Sequence, residues 1–319
     1  MRLNPMTTKR NVRLSPRDLV RKIAPLGGAL GGRAGGALAR RFREAGPAPV
    51  SLGRIGSLEV RLAASAGEVK KAQSLRYHVF YEEMSAIPDF AALASRRDVD
   101  EYDAICDHLL VLDHSQVEVK PFRRPTPRVV GTYRLLRQDV ADREGGFYSA
   151  GEFEVGKLVD AKPDLKFLEL GRSCVLKPYR NKRTVELLWH GIWAYVLMHR
   201  IDAMVGCASL EGTDPQRLAL PLAFLHHHVG SPEEWRVRAN SDRYVSMDLM
   251  PKEAIDARAA LHALPAHMKG YLRLGGHIGD GAVVDHQFGT TDVFVVLPVA
   301  SISERYINYY GADASRHAS

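Results

Sequence analysis

Cysteine is scarce in this chain, and its first fifty residues contain no long apolar run. The 319 residues include three cysteines, Cys106, Cys174 and Cys207. They are odd in number, widely separated and set in apolar or strand-like stretches. This excludes a disulfide framework and any zinc-type spacing, and it predicts buried, reduced thiols in a cytoplasmic protein. An internal repeat is also lacking. The body of the chain has no excess of either charge, although the net charge is +7. Residues 1–50 carry eleven Lys/Arg against Asp18 and Glu44, a local +9, so the other 269 residues sum to −2.

The basic arm is rich in Gly, Ala and Arg. It has neither a stretch long enough to span a bilayer nor the apolar centre of a secretory signal. A solvated tail and a surface-binding arm for anionic lipid or an acidic protein are both compatible with it. Nucleic acid is not an expected partner, because no recognition helix or aromatic–basic platform accompanies the charge. The triplet His226–His228 reads as a surface helix end, since consecutive helical residues point in different directions. No metal is expected.

Hydrophobic periodicity gives one mixed sheet with helices packed against it, in the order β-α-β-β-β-α-β-α-β. The folded part, 51–319, opens with the alternating stretch 57–65. A helix over 66–83 carries Val69, Ala72, Val79 and Phe80 on one stripe, with Arg76 at its edge facing acidic groups. A loop follows over 84–104. Strands are expected at 105–113, 128–137, 167–176 and 203–210, and a helix at 184–198. Residues 138–166 read as a short helix and a mobile excursion. The extension from about 211 to 319 begins with a helix interrupted at Pro221 and ends, after Pro265, with two or three strands.

Charges fall inside or beside these apolar strands. A charge on a buried strand face is costly unless it is paired or used. Asp100, Asp103, Arg134, Glu169 and Arg172 therefore read as one site assembled from several segments. Glu169 and Arg172 are three apart and would face opposite ways in a regular strand, so a bulge at or near Gly171 is expected to bring them together. His108 and Asp113 are five apart on a strand and cannot form a catalytic dyad. Lys177, Arg180, Lys182 and Arg183 lead into a helix N-terminus, where an external phosphate would complete the site.

The stretches LRYHVF (75–80), DEYD (100–103), HLLVLD, VVGTYRLL and ELGRSCV (169–175) together resemble the acyl-homoserine-lactone synthase branch of the GNAT acyltransferases. That resemblance places the functional cluster at Arg76, Phe80, Asp100, Asp103, Arg134, Glu169 and Arg172. It implies an α/β fold: a mixed, mostly antiparallel sheet with a splayed central strand pair and helices on both faces. The tryptophan those synthases carry after the first helix is absent, with Met84 and Ser85 in its place. The segments LLWHGIWAYV, GCASLEGTDP and KGYLRLGG with a following VVD-x-x-F (283–288) are instead similar to the ornithine N-acyltransferases of bacterial ornithine-lipid synthesis, once labelled hemolysin-like.

This second resemblance covers about 55–310 and implies transfer of a (3-hydroxy)fatty acyl group from acyl carrier protein to the α-amine of L-ornithine. No bound cofactor is implied; the acyl carrier protein's phosphopantetheine thioester is a co-substrate. Glu169 is the expected base, directly or through a water, or else the group that orients the amine. Asp100 and Asp103 are the ammonium-binding groups, and Arg134 or Arg172 the partner of the ornithine carboxylate or a brace for the carboxylates. Backbone N–H groups near Cys174 and Val175 would hold the oxyanion. The turn RNKRTV has no glycine to wrap a coenzyme A diphosphate, which favours a carrier-protein donor. An acyl-homoserine-lactone-type synthase, an acyltransferase for another amino acid and a non-catalytic membrane-associated protein remain alternatives. A cytoplasmic protein, peripheral on the inner membrane through its arm, is the expected location. Deleting residues 1–50 should weaken co-sedimentation with anionic vesicles and leave turnover of soluble substrates intact; equal sedimentation of the truncated chain would exclude that role.

Overall fold

The computed structural model describes residues 50–119 and 125–306. The arm 1–49, Pro121 in the strand connector and the last thirteen residues lie outside them. Eight strands form one sheet in the order β1-β2-β3-β4-β5-β6-β8-β7. They are β1 Ser51–Ile55, β2 Leu58–Leu62, β3 Asp107–Glu118, β4 Thr126–Arg137, β5 Phe167–Val175, β6 Ala203–Glu211, β7 His277–Asp285 and β8 Thr290–Pro298. Every pairing is antiparallel except β5 with β6. The mixed, mostly antiparallel sheet expected from the sequence is therefore present.

Helices α1 Ala66–Tyr77, α2 Phe90–Ser95, α3 Gln138–Glu144, α4 Val155–Ala161, α5 Lys182–His199, α6 Ala219–Val229, α7 Ala257–Ala263 and α8 Ala266–Arg273 complete the regular structure. α1 starts at Ser65, whose side chain accepts from Glu68 N. Asn181 caps α5 in the same way through Thr184 N. The larger core packs the broad apolar face of α5 against β1–β4 and α1 against β3–β5. A second core gathers Leu136, Phe153, Phe167, Val205 and Phe294 beneath α3 and α4.

Several expectations need correction. The 66–83 helix is α-helical only to Tyr77; His78–Glu83 is π-helical, with Met84 N donating to Val79 O at 3.0 Å. The 84–104 loop contains α2 and a 3₁₀ turn, Glu101–Ala104. The 138–166 excursion is ordered: it holds α3, α4 and the 3₁₀ turn Tyr148–Gly151, anchored by buried Phe147, Ser149 and Phe153. Pro221 is the third residue of α6 and does not interrupt it, because a first-turn N–H has no acceptor within the helix. Lys269–Arg273 of KGYLRL lie in α8 rather than in a strand, and the two strands that follow are within the two or three expected.

Two local features open the sheet at its centre. Arg134 pairs with Gly171 but Thr132 pairs with Cys174, so Arg172 and Ser173 both stand opposite Tyr133. This is the expected bulge; its left-handed residue is Arg172 itself (φ 49°), not the glycine beside it. β5 and β6 pair only from Phe167–Glu169 to Ala203–Val205 and then part. At the parting, a Cβ on Gly206 would stand 2.4 Å from the Leu170 carbonyl oxygen. Gly206→Ala should therefore lower the urea midpoint, corresponding to a stability loss of about 1–3 kcal/mol as overpacking gives. An unchanged midpoint would show that the strands can separate further at no cost.

Candidate active site

The 3₁₀ turn Glu101–Ala104 opens with a capping box. Asp103 N donates to Asp100 Oδ1 at 3.2 Å and Asp100 N to Asp103 Oδ2 at 3.3 Å. The motif fixes both carboxylates over the sheet, where three arginines from α1, β4 and β5 meet them. Arg76 makes a bidentate pair with Asp103, at 2.8 Å on both oxygens. Its Nε lies 2.8 Å from Asp98 Oδ2. Arg134 Nη1 donates to Asp100 Oδ1 at 2.5 Å. Arg172 lies 3.2 Å from Asp100 and 3.3 Å from Asp98. Three guanidiniums and three carboxylates thus alternate, with no formal charge left over.

Arg76 was expected at the edge of its helix, but it is fully buried. The π-helical turn that begins two residues later lies at the cleft rather than in solvent: Val79 and Phe80 line the same cavity as Arg134 and Arg172. Burial alone would raise the Asp103 carboxyl, yet Arg76 and Arg134 bring it far below its ordinary value. Burial likewise opposes the charge on Arg76 and is outweighed by Asp103 and Asp98. His108 is pushed down to about 4, chiefly by burial, and is neutral at pH 7. Its Nε2 bonds the Asp103 carbonyl, while Asp113 binds Ser115 and Tyr179, so the two form no dyad.

Glu169 is buried on the face of β5 that carries Arg134's neighbours. Its oxygens accept from Tyr148 N at 2.7 Å and Ser149 N at 2.8 Å. Burial raises its pKa, and these amides only partly offset it. The clamp sets Tyr148 over Arg172, 4.8 Å from guanidinium to ring centroid, and Phe288 lies 5.0 Å from the same guanidinium. Phe80 meets Phe288 edge-on at 5.6 Å. Stacking and two ion pairs hold Arg172 in a left-handed conformation that costs a non-glycine residue about 1–2 kcal/mol.

Between the parted strands lies a cavity of about 350 Å³, whose wall includes Phe80, Arg134, Glu169, Arg172, Cys174 and Val175. A second cavity of about 590 Å³, bounded by α5 and α8, shares Ser173–Val175, Arg180 and His267 with it. Leu176 N donates to Val130 O at 3.0 Å, so strand alternation turns the Val175 amide and carbonyl away from β4. The Val175 carbonyl accepts from Arg180 Nε at 2.9 Å. By the same alternation Cys174 N–H faces β4, leaving the Val175 amide as the one directed into the gap. Of the four basic residues, Arg180 and Lys182 border the second cavity. Lys177 and Arg183 are exposed and border neither.

Cys106 and Cys174 are buried and Cys207 half-buried, all as free thiols. Burial pushes Cys106 up to about 12 and raises the other two as well. In the His226–His228 triplet, His226 and His227 come together with Asp248, their ligand atoms within 4.8 Å of one another, despite the divergence expected on a helix. Asp98, Tyr148, Phe288 and the acidic residues Glu152, Asp285 and Asp292 escaped the reading of the sequence. Asp98 left a signal there, as the first acid of the DVDEYD run, as did Asp285 and Phe288, the ends of the D-x-x-F part of the VVD-x-x-F segment.

Residues 75–190 match the acetyltransferase (GNAT) domain family. That span carries Arg76, Arg134, Glu169 and Arg172, so an acyltransferase domain of this class frames the cleft. It is 58% identical over 280 residues to the L-ornithine N(alpha)-acyltransferase of Rhizobium meliloti (strain 1021), covering 87% of this chain and 93% of that one. It is 54% identical over 270 residues to the enzyme of the same name from Brucella abortus (strain 2308), covering 84% and 93%. The chain belongs to the L-ornithine N(alpha)-acyltransferase family. Among solved structures, an N-acyl amino acid synthase from uncultured soil microbes superposes with a TM-score of 0.41 at 12% identity, over 79% of this chain and 93% of that one. Among the described residues, no helix is long and apolar enough to cross a membrane.

Asp103→Asn would leave the wholly buried Arg76 with half its compensation. It should destabilise the protein by about 3–5 kcal/mol, the usual result of breaking one side of a buried pair. Urea denaturation reads this, and a loss under 1 kcal/mol would mean that Asp98 suffices.

Proposed function

We propose that this enzyme joins a fatty acyl group, carried as a thioester on acyl carrier protein, to the α-amine of L-ornithine. The observation that carries this reading is the identity of more than half over most of the chain to relatives named for that reaction. The cleft supplies a chemistry to match. A thioester carbonyl placed in the gap between β5 and β6 meets the Val175 amide, which can hold the oxygen as the carbon becomes tetrahedral. The amine attacks directly: a C–N bond forms, the C–S bond breaks, and the thiolate leaves with a proton. No acyl-enzyme is required.

An α-ammonium must lose a proton before it attacks. Glu169 borders the cavity, and its raised pKa suits a base acting through a water. Asp100 and Asp103 were expected to hold the ammonium groups, but arginines, the Gln73 side-chain amide and each other's backbone amides occupy their acceptors. They brace Arg134 and Arg172 instead. Arg172 has the most open of the three guanidiniums, its side chain 14% exposed against 4% for Arg134 and 1% for Arg76, so it is the one to meet the acceptor's carboxylate. Arg180 and Lys182 suit the single phosphate of a carrier-protein prosthetic group. A coenzyme A diphosphate would call for a glycine-rich wrap that Arg180–Val185 lacks.

Purified protein should convert 3-hydroxyacyl carrier protein and ornithine to an N-acyl ornithine, identified by mass. Lysine, glutamine and S-adenosylmethionine, and the same acyl group on coenzyme A, serve as comparisons. Glu169→Gln should cut kcat by about 10²–10⁴-fold. Equal use of the coenzyme A thioester would remove the carrier protein from the proposal, and full activity of the variant would remove Glu169 from proton transfer.

A further inference from the structure

Across the gap from Arg172, the sheet carries a group of acids that the steps above leave unused. Asp292 on β8 stands opposite Ser209 on β6, and Thr290 stands opposite Glu211 and Asp285. Glu152 reaches the same place from the end of the Tyr148–Gly151 turn. One carboxylate oxygen from each of Glu152, Asp285 and Asp292 lies within 4.8 Å of the others. Asp285, Thr290 and Asp292 form part of the wall of the 350 Å³ cavity.

The group is short of positive charge. Arg243 lies 3.2 Å from Glu152 Oε1, and Cys207 donates a weak S–H bond to Glu152 Oε2 at 3.6 Å. Neither neutralises the aspartates. Burial and then Asp292 push Glu152 up to about 7. Burial also raises Asp292. Asp292 Oδ1 and Thr290 Oγ1 make no hydrogen bond of good geometry, although both residues are more than nine-tenths buried. Buried polar atoms in a native protein are normally satisfied. Two such atoms facing one cavity indicate a donor that arrives from outside.

We propose that Asp292, Asp285, Thr290 and Glu152 bind the side-chain δ-ammonium of the acceptor amino acid and so decide both which amino acid is acylated and which of its amines reacts. An alkylammonium donates three hydrogen bonds. Three acceptors around one tetrahedral nitrogen at ordinary hydrogen-bond length stand about 4.7 Å apart, compatible with this group. The arrangement rests on the functional reading above and deepens it. With the carboxylate held at Arg172 and the δ-ammonium held across the gap, the α-amine is left facing the thioester. Glu152 is three residues beyond Ser149, whose amide Glu169 clamps, so one short segment ties the two ends of the acceptor site.

The test compares ornithine with 2-aminopentanoate, which has the same carbon chain and no δ-amine, in wild type and Asp292→Asn. Wild type should strongly prefer ornithine. The variant should lower kcat/KM for ornithine by about 10²-fold or more, as loss of a buried charge partner does, and leave 2-aminopentanoate unaffected. Its thermal midpoint without ligand should not fall, because a buried unpaired charge has gone, and the upward shift caused by ornithine should disappear. Asp285→Asn, nearer the rim, should weaken ornithine in the same direction. An unaltered ornithine preference in both variants overturns the proposal. So does a preference lost on treatment with EDTA and restored by Mg²⁺ or Ca²⁺, which would make the site a metal centre. An ornithine-induced shift that vanishes in Asp292→Asn supports the site even if wild type acylates nothing, a result that would defeat the functional reading alone.

Discussion

A guanidinium moved from water into a protein interior loses several kcal/mol of solvation, and only close, hydrogen-bonded carboxylates can replace it. Arg76 is wholly enclosed, and the bidentate pair with Asp103 is what makes its enclosure tolerable. That pair joins α1 to the turn before β3, and Asp98 and Asp100 extend the alternation to β4 and β5. The shape of the cleft depends on it. Arg172 can occupy a left-handed bulge because two aspartates and two aromatic rings hold its head in place. Without the bulge, Glu169 and Arg172 would look to opposite faces of the sheet.

Much of this was legible in the residues. Charges within apolar strands announced the cluster, and the Asp-x-x-Asp spacing of the capping box placed two of its carboxylates together. The glycine next to Arg172 pointed to the bulge one residue away. The sheet followed from alternation, and α5 from its wide apolar face. Resemblance to known families then supplied the reaction, which composition and periodicity could not have done.

What escaped has physical causes. Tyr148 belongs to a polar, glycine-containing stretch whose order comes from a long-range contact: two of its amides end on Glu169, some twenty residues away. Local propensity cannot report such an anchor. Asp285 and Asp292 lie in β7 and β8, where an isolated acid looks like a solvated edge until the pairing of β8 with both β6 and β7 brings the two acids together. Pro221 was read as a break because the start of α6 was placed too early. The same residue is harmless within a first turn.

The π-helical stretch His78–Glu83 carries one more residue per turn than the α-helix that leads into it. Phe80, on that stretch, meets Phe288 edge-on. Since each residue of an α-helix turns the next by about 100°, removing a single amino acid between Val79 and Met84 would let the segment relax to ordinary winding and swing the aromatic ring off the wall of the cleft. Insertions and deletions, more than substitutions, are what this part of the chain cannot absorb.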